Sequence, residues 1–264
     1  AKSLSSLADV YINDAFSCAH RKQTSIHKIT KHISNSYAGP LFMKEIHSIN
    51  IVLNNKKKPT TCIIGGSKIS SKLGVITTLI KKVDHLIIVG AMANNFIKFK
   101  GNKIGKSLIE SGSEKIIQEI YDKADKFNCE IIIPLDFAVS ESTDGEANFK
   151  DFQDVRDNDI ILDIGQQTIS KISKVIDNSK TVLWNGPAGY FENQNFSKGT
   201  ISIAKKISEN TNKNSLISIV GGGDTVSAIK NNEIDVNFTH LSTAGGAFLE
   251  YIEGKNLPGI EVLK

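Results

Sequence analysis

Beyond Pro59 the chain alternates between short apolar runs and helix-period segments, and this rhythm constrains its fold more than any other feature. The runs lie at 62–64, 86–89, 131–134, 160–162, 181–184, 216–220 and 238–241. Between or after them come helical stretches at 69–83, 113–128, 166–178, 197–209, 225–231 and 246–253. Runs of this length rich in Ile, Val and Leu read as buried strands. Strands that alternate with helices specify a doubly wound α/β fold, a mostly parallel sheet covered on both faces. Sheets of this kind bind ligands beyond the carboxyl ends of their strands.

The first 58 residues keep a different pattern. Leu4 to Leu7 read as the tail of a helix and Val10-Tyr11-Ile12 as a short strand. Leu41, Phe42, Ile46, Ile49 and Leu53 recur at helical spacing, an amphipathic helix suited to connecting two lobes. Asn54-Asn55-Lys56-Lys57-Lys58-Pro59 breaks that helix and marks a domain boundary. Ala1-Lys2-Ser3-Leu4 lacks an initiator Met and enters within a helical pattern, so a fragment of a longer protein is expected.

The 264 residues suffice for a substantial core, and their net charge of +4 is spread among acids instead of forming a basic arm. An anionic small molecule suits this balance better than nucleic acid. Cys18, Cys62 and Cys129 are far apart and form no CxxC pair, so no zinc site is read and a reducing compartment is expected. With no apolar run of membrane length and no signal-peptide core, the expected location is cytoplasmic, away from membranes.

Glycines mark the carboxyl ends of the runs: Gly65-Gly66, Gly90, Gly186 and Gly189, Gly221-Gly222-Gly223 and Gly245-Gly246. Five such turns in register suggest a backbone surface open to a nucleotide-sized ligand. Lys68 and Lys72, four apart behind Gly65-Gly66, put two cations on one face of an expected helix start, which an anion would relieve. The spacing is not that of a Walker A loop. Asn185 and Pro187 suit a purine face, and Glu192 suits a ribose. In Val220-Gly221-Gly222-Gly223-Asp224-Thr225 the amides ahead of a helix suit a phosphate. Asp224 reads two ways, as a helix cap or as a Mg²⁺ contact that separates its charge from the phosphate. Trp184 reads as core, and the six histidines form no ligand pair.

Five segments resemble phosphoglycerate kinase in the same order. They are Tyr11-Ile12-Asn13-Asp14-Ala15-Phe16 with Ala19-His20-Arg21, Gly65 to Lys72, Trp184-Asn185-Gly186-Pro187, Gly221 to Thr225, and Ser242-Thr243-Ala244-Gly245-Gly246-Ala247. The resemblance covers about the C-terminal two thirds of the family's chain. It implies a Rossmann-like nucleotide domain at 56–252, an interlobe helix at 41–55, a remnant of a second α/β lobe at 1–40, and a tail at 253–264 returning toward that lobe. It implies ATP or ADP and 3-phosphoglycerate as partners, Mg²⁺ as cofactor and a monomeric state. Arg21 and Lys58 would bind 3-phosphoglycerate. Gly66, Lys68, Lys72, Gly90, Asn185, Pro187, Glu192, Gly221, Gly222, Gly223, Asp224 and Thr225 would bind nucleotide, with Asp224 serving the metal. Lys72, Gly222 and Gly245 would act on the transferred phosphoryl group.

The sequence departs from the family pattern where Lys58 stands for an Arg, Ala91 and Ala244 for glycines, and Gln166 for a proline. A nucleotide-binding module without catalysis is the competing reading, and little or no turnover is expected of this chain alone. A dehydrogenase is disfavoured because no G-x-G-x-x-G follows a strand.

Overall fold

A computed structural model describes residues 1–54, 57–232 and 234–263. Residues 55 and 56, where the expected helix ends and the nucleotide domain begins, lie outside the described residues, as does residue 264 of the expected tail. The chain opens with a helical turn, α1 (Lys2–Ser5), followed by two short parallel strands, β1 (Tyr11–Asn13) and β2 (Ser36–Ala38). The amphipathic helix α2 (Pro40–Leu53) then leads into the main body. Pro40 opens α2, and Asp14 Oδ1 accepts the Phe42 N–H at 2.8 Å, so an acid before β2 caps the connector. Phe42, Ile49 and Val52 supply its buried face.

The main body contains β3 (Thr60–Ile64), α3 (Leu73–Leu79), β4 (His85–Ile88), α4 (Ala93–Phe99), α5 (Glu114–Phe127) and β5 (Glu130–Ile132). After an antiparallel excursion it continues with α6 (Gln166–Asn178), β9 (Thr181–Asn185), α7 (Lys198–Asn212), β10 (Ile217–Gly221), α8 (Gly223–Asn231), β11 (His240–Ser242) and α9 (Gly245–Ile252). The strands form one six-stranded sheet of order β11-β10-β9-β3-β4-β5, parallel throughout. Strands β3 to β5 progress in one direction and β9 to β11 in the other, so the order reverses between β3 and β9. The crevice of a doubly wound sheet opens at such a reversal.

Two apolar clusters cover opposite faces of this sheet. Ile64, Leu86, Leu183 and Ile219 point into one, and Ile63, Ile87, Val182, Trp184 and Val220 into the other. Their period of two is the pleat of strands buried on both sides.

The excursion is a three-stranded antiparallel sheet, β6 (Asp136–Ser140), β7 (Asn148–Asp151) and β8 (Ile160–Ile164), in the order β7-β6-β8. The run at 160–162 therefore belongs to β8 and not to the parallel sheet, a correction to the simple alternation. Two buried carboxylates bind the excursion to the helices behind it. Asp136 accepts the Gln167 and Thr168 N–H groups at 2.9 and 2.8 Å, capping α6, and Asp163 accepts the Gly199 N–H at 2.7 Å in the first turn of α7.

The last short helix, α10 (Pro258–Glu261), packs against the first forty residues. The Gly259 N–H donates to the Ala19 carbonyl at 2.7 Å, and a Cβ at Gly259 would lie 2.8 Å from the Ala19 Cα. Phe16 and Ala19 share one core cluster with Phe42, Phe248 and Leu257, so part of the first forty residues packs into the main core. Phe16 stands edge-on to Phe42 and to Tyr251, with ring centroids 5.4 and 6.1 Å away. Among the described residues no helix is long and apolar enough to cross a membrane.

Candidate active site

The turns after β3 and β9 meet backbone against backbone at the sheet's reversal point. The Gly65 N–H donates to the Asn185 carbonyl at 2.8 Å, and a Cβ on Gly65 would fall 2.1 Å from the Pro187 carbonyl oxygen. Gly186 answers with φ of 99° and its own Cβ direction closed by Gly65. No side chain fits at either position, so the floor of the crevice is peptide groups.

Lys72 stands over that floor. Its Nζ donates to the Gly65 carbonyl at 2.6 Å and to Asn185 Oδ1 at 2.7 Å. Burial lowers its pKa to about 8, against the opposing pull of the Cys62 thiol and the Asp224 carboxylate. Asn185 Nδ2 in turn donates to the Gly221 carbonyl at 2.9 Å, which links β9 to β10. The Thr225 hydroxyl, fully buried, donates to Gly221 O and accepts the Gly186 N–H at 2.7 Å. Thr225 thus fixes the turn after β9 with its side chain.

A cleft of about 300 Å³ opens above these groups, lined by Ser67, Lys68, Ser71 and Lys72 on one side and by Gly222, Gly223, Asp224, Thr225 and Gly245 on the other. The amino ends of α8 and α9 both face it, and their first N–H groups carry partial positive charge. An apolar cavity of about 410 Å³ adjoins it, sharing Gly66, Ser67 and Asp224. Gly90, Ala91, Ile97, Leu108, Pro187 and Tyr190 form part of its wall, and Glu192 stands exposed at its edge. One compartment offers amides and cations, the other apolar walls.

Most of the residues singled out in the sequence therefore share one crevice: Gly66, Lys68, Lys72, Gly90, Asn185, Pro187, Glu192, Gly222, Gly223, Asp224, Thr225 and Gly245. Gly221 lies directly beneath it as the last residue of β10. Arg21 is exposed beyond the 3₁₀ turn Phe16–Cys18, with Nε 3.4 Å from His20 Nε2. His20 lies over Gly246 at the amino end of α9, where a Cβ would be 3.2 Å from its Nε2.

Lys58 does not join the group. It precedes β3, at the amino end of the strand, and pairs with Asp84 at 3.0 Å. The length of β3, at roughly 3.3 Å per residue, separates it from the turn at Gly65. Two local expectations are also corrected. The helix behind Gly65-Gly66 begins at Leu73 after a 3₁₀ turn at Ser70–Lys72, so Lys68 lies in the loop ahead of it. Asp224 is not the cap of α8, since that position belongs to Gly222, which takes φ of 103°. Asp224 sits in the first turn with its carboxylate exposed. Ala91 and Ala244 are absent from the residues with positive φ, so the methyl groups at these glycine positions impose no backbone strain.

Reasoning from sequence missed Ser67 and Ser71 as individual cleft residues, and Leu108 and Glu110 altogether. The serines stood inside a recognised motif. Leu108 reaches the crevice, and Glu110 the Ser70 N–H behind it, from a loop some 40 residues downstream, and nothing in their neighbours' identity announces it.

The phosphoglycerate kinase family profile matches residues 1–255. The chain belongs to the phosphoglycerate kinase family. It is 45% identical over its whole length to the phosphoglycerate kinase of Wolbachia sp. subsp. Drosophila simulans (strain wRi), covering 67% of that protein. It is 43% identical to that of Bartonella quintana (strain Toulouse), with 100% of this chain and 67% of the relative covered. Among solved structures, phosphoglycerate kinase from Coxiella burnetii superposes with a TM-score of 0.91 at 38% identity, covering 99% of this chain and 67% of that one. The chain thus spans about two thirds of the length of the phosphoglycerate kinases it matches.

Proposed function

We propose that the crevice binds a magnesium nucleotide, with the phosphates in the amide-lined cleft and the base in the apolar cavity. Together with the remaining third of a full-length relative, it would carry out reversible phosphoryl transfer between ATP and the carboxylate of 3-phosphoglycerate, giving ADP and 1,3-bisphosphoglycerate. The observation that carries this reading is Lys72, a lysine buried against Gly65 and Asn185 where two helix amino ends converge.

The groups divide the work by chemistry. Lys68 and Lys72 with the amides of Gly222, Gly223 and Gly245 neutralise the phosphates and the charge that develops on the group in transfer. Pro187 and Gly90 bound the base, and Glu192 accepts from the ribose hydroxyls. Arg21 faces 3-phosphoglycerate. That substrate's carboxylate, with a pKa near ~3.5, is already ionised at neutral pH and needs no general base.

Asp224 supplies one exposed carboxylate, and no cluster of three His, Cys, Asp or Glu exists among the described residues. A single carboxylate beside a phosphate cleft fits Mg²⁺, which keeps several waters and takes its other ligands from phosphates. Asp224 would hold such an ion, and the ion would supply positive charge against the phosphates.

Calorimetric titration of the chain with MgADP tests the reading. Lys72→Ala should weaken binding by about tenfold or more, as expected for a lost charge-assisted contact. An unchanged affinity would rule Lys72 out of the nucleotide site.

A further inference from the structure

The loop at 100–113, between α4 and α5, lines the apolar cavity and holds the back of the 66–72 turn. Leu108, 58% exposed, is part of the apolar cavity's wall, and its carbonyl accepts from Asn94 Nδ2 at 3.1 Å. Two residues on, the Glu110 carboxylate accepts the Ser70 N–H at 3.0 Å. The Ser70 hydroxyl and backbone hold its pKa below the ordinary glutamate value, with Ile69 N–H and the Lys68 charge adding to the effect.

Ser70 belongs to the segment that shapes the phosphate cleft, but it does not line it. Ser67, Lys68, Ser71 and Lys72 face the cleft, Ile69 is fully buried, and Ser70 turns to Glu110. A carboxylate thus grips the back of the loop whose front carries the two lysines.

The grip is itself anchored. Glu110 N–H donates to Asn95 Oδ1 at 2.8 Å, and the Ser113 hydroxyl donates to the same oxygen at 3.1 Å. Asn95, 97% buried, returns its Nδ2 to the Met92 carbonyl at 3.2 Å, and Met92 N–H donates to the Gly66 carbonyl at 2.8 Å. The circuit runs from Gly66 through α4 and the 100–113 loop back to Ser70, and encloses the whole phosphate-facing turn.

We propose that Glu110 is a positioning residue for nucleotide phosphates, holding the 66–72 turn in the shape that presents Lys68, Lys72 and the serines to the cleft. This rests on the nucleotide reading above. Glu110 contacts no nucleotide itself and acts through Ser70.

The test compares the chain with its Glu110→Ala and Glu110→Gln variants, using MgADP by calorimetry and adenosine by ligand-observed NMR. Wild type must bind MgADP, and failure there would overturn the nucleotide reading itself. Given that binding, Glu110→Ala should lose about tenfold in MgADP affinity while adenosine, held by the apolar cavity, binds as before. Glu110→Gln, whose amide oxygen still accepts the Ser70 N–H, should recover most of the loss. Wild-type MgADP affinity in Glu110→Ala, or an equal loss of adenosine and MgADP, would overturn the assignment of Glu110.

Discussion

Lys72 and Glu192 show what residue chemistry alone conveys. Two glycines ahead of two lysines announce an anion site, because crowded cations at a turn need a counter-charge. The burial of Lys72 was not legible, since it comes from Asn185, more than a hundred residues away. That burial has a measurable consequence. With a folded pKa of about 8, free Lys72 is roughly half protonated at pH 8, while a phosphate beside it favours the charged form. MgADP binding should therefore take up about half a proton at pH 8 and almost none below pH 6.5. Calorimetry in buffers of different ionisation enthalpy reads this directly, and the uptake should vanish in Lys72→Ala. Affinity should fall as pH rises through 8 and not only near the ordinary lysine value.

Elements were legible in proportion to how far their burial is periodic. The parallel strands and α5, α6, α7 and α9 lie close to the positions their patterns predict. Strands β6 and β7 were missed for separate reasons. Asp136-Phe137-Ala138-Val139-Ser140 follows Pro134 closely and is buried on every residue, so it shows no alternation. Asn148 to Asp151 is polar and mostly exposed, with only partner strand β6 to define it. Helix α4 carries two buried polar residues, Asn94 and Asn95, and so lacks a clean apolar stripe; Asn94 donates to the Leu108 carbonyl, and Asn95 bonds Met92 and the Glu110 N–H. The carboxylate caps were equally invisible, because each acts from a different element. Asp136→Ala removes both acceptors from the α6 amino end and should cost about 2 kcal/mol in urea denaturation. Asp136→Asn, which keeps one acceptor oxygen, should cost less.

At the scale of the molecule, the strand order places the site and the family accounts for the residues around it. The order β11-β10-β9-β3-β4-β5 fixes the crevice between β3 and β9, whatever the side chains there. Because the chain spans two thirds of its relatives, turnover is the property most sensitive to what lies outside it. A coupled assay for ATP consumption with 3-phosphoglycerate should give little or no rate for these 264 residues, and ordinary kinase rates would refute that expectation. Helix α9 joins the two scales. Gly245 at its start lines the phosphate cleft, while Tyr251 near its end rests on Phe16 and bonds Asn50 of α2 at 3.2 Å. An eight-residue helix is a stiff rod of about 12 Å. The phosphate-facing cleft and the contact with Phe16 and α2 are thus the two ends of one short rigid element.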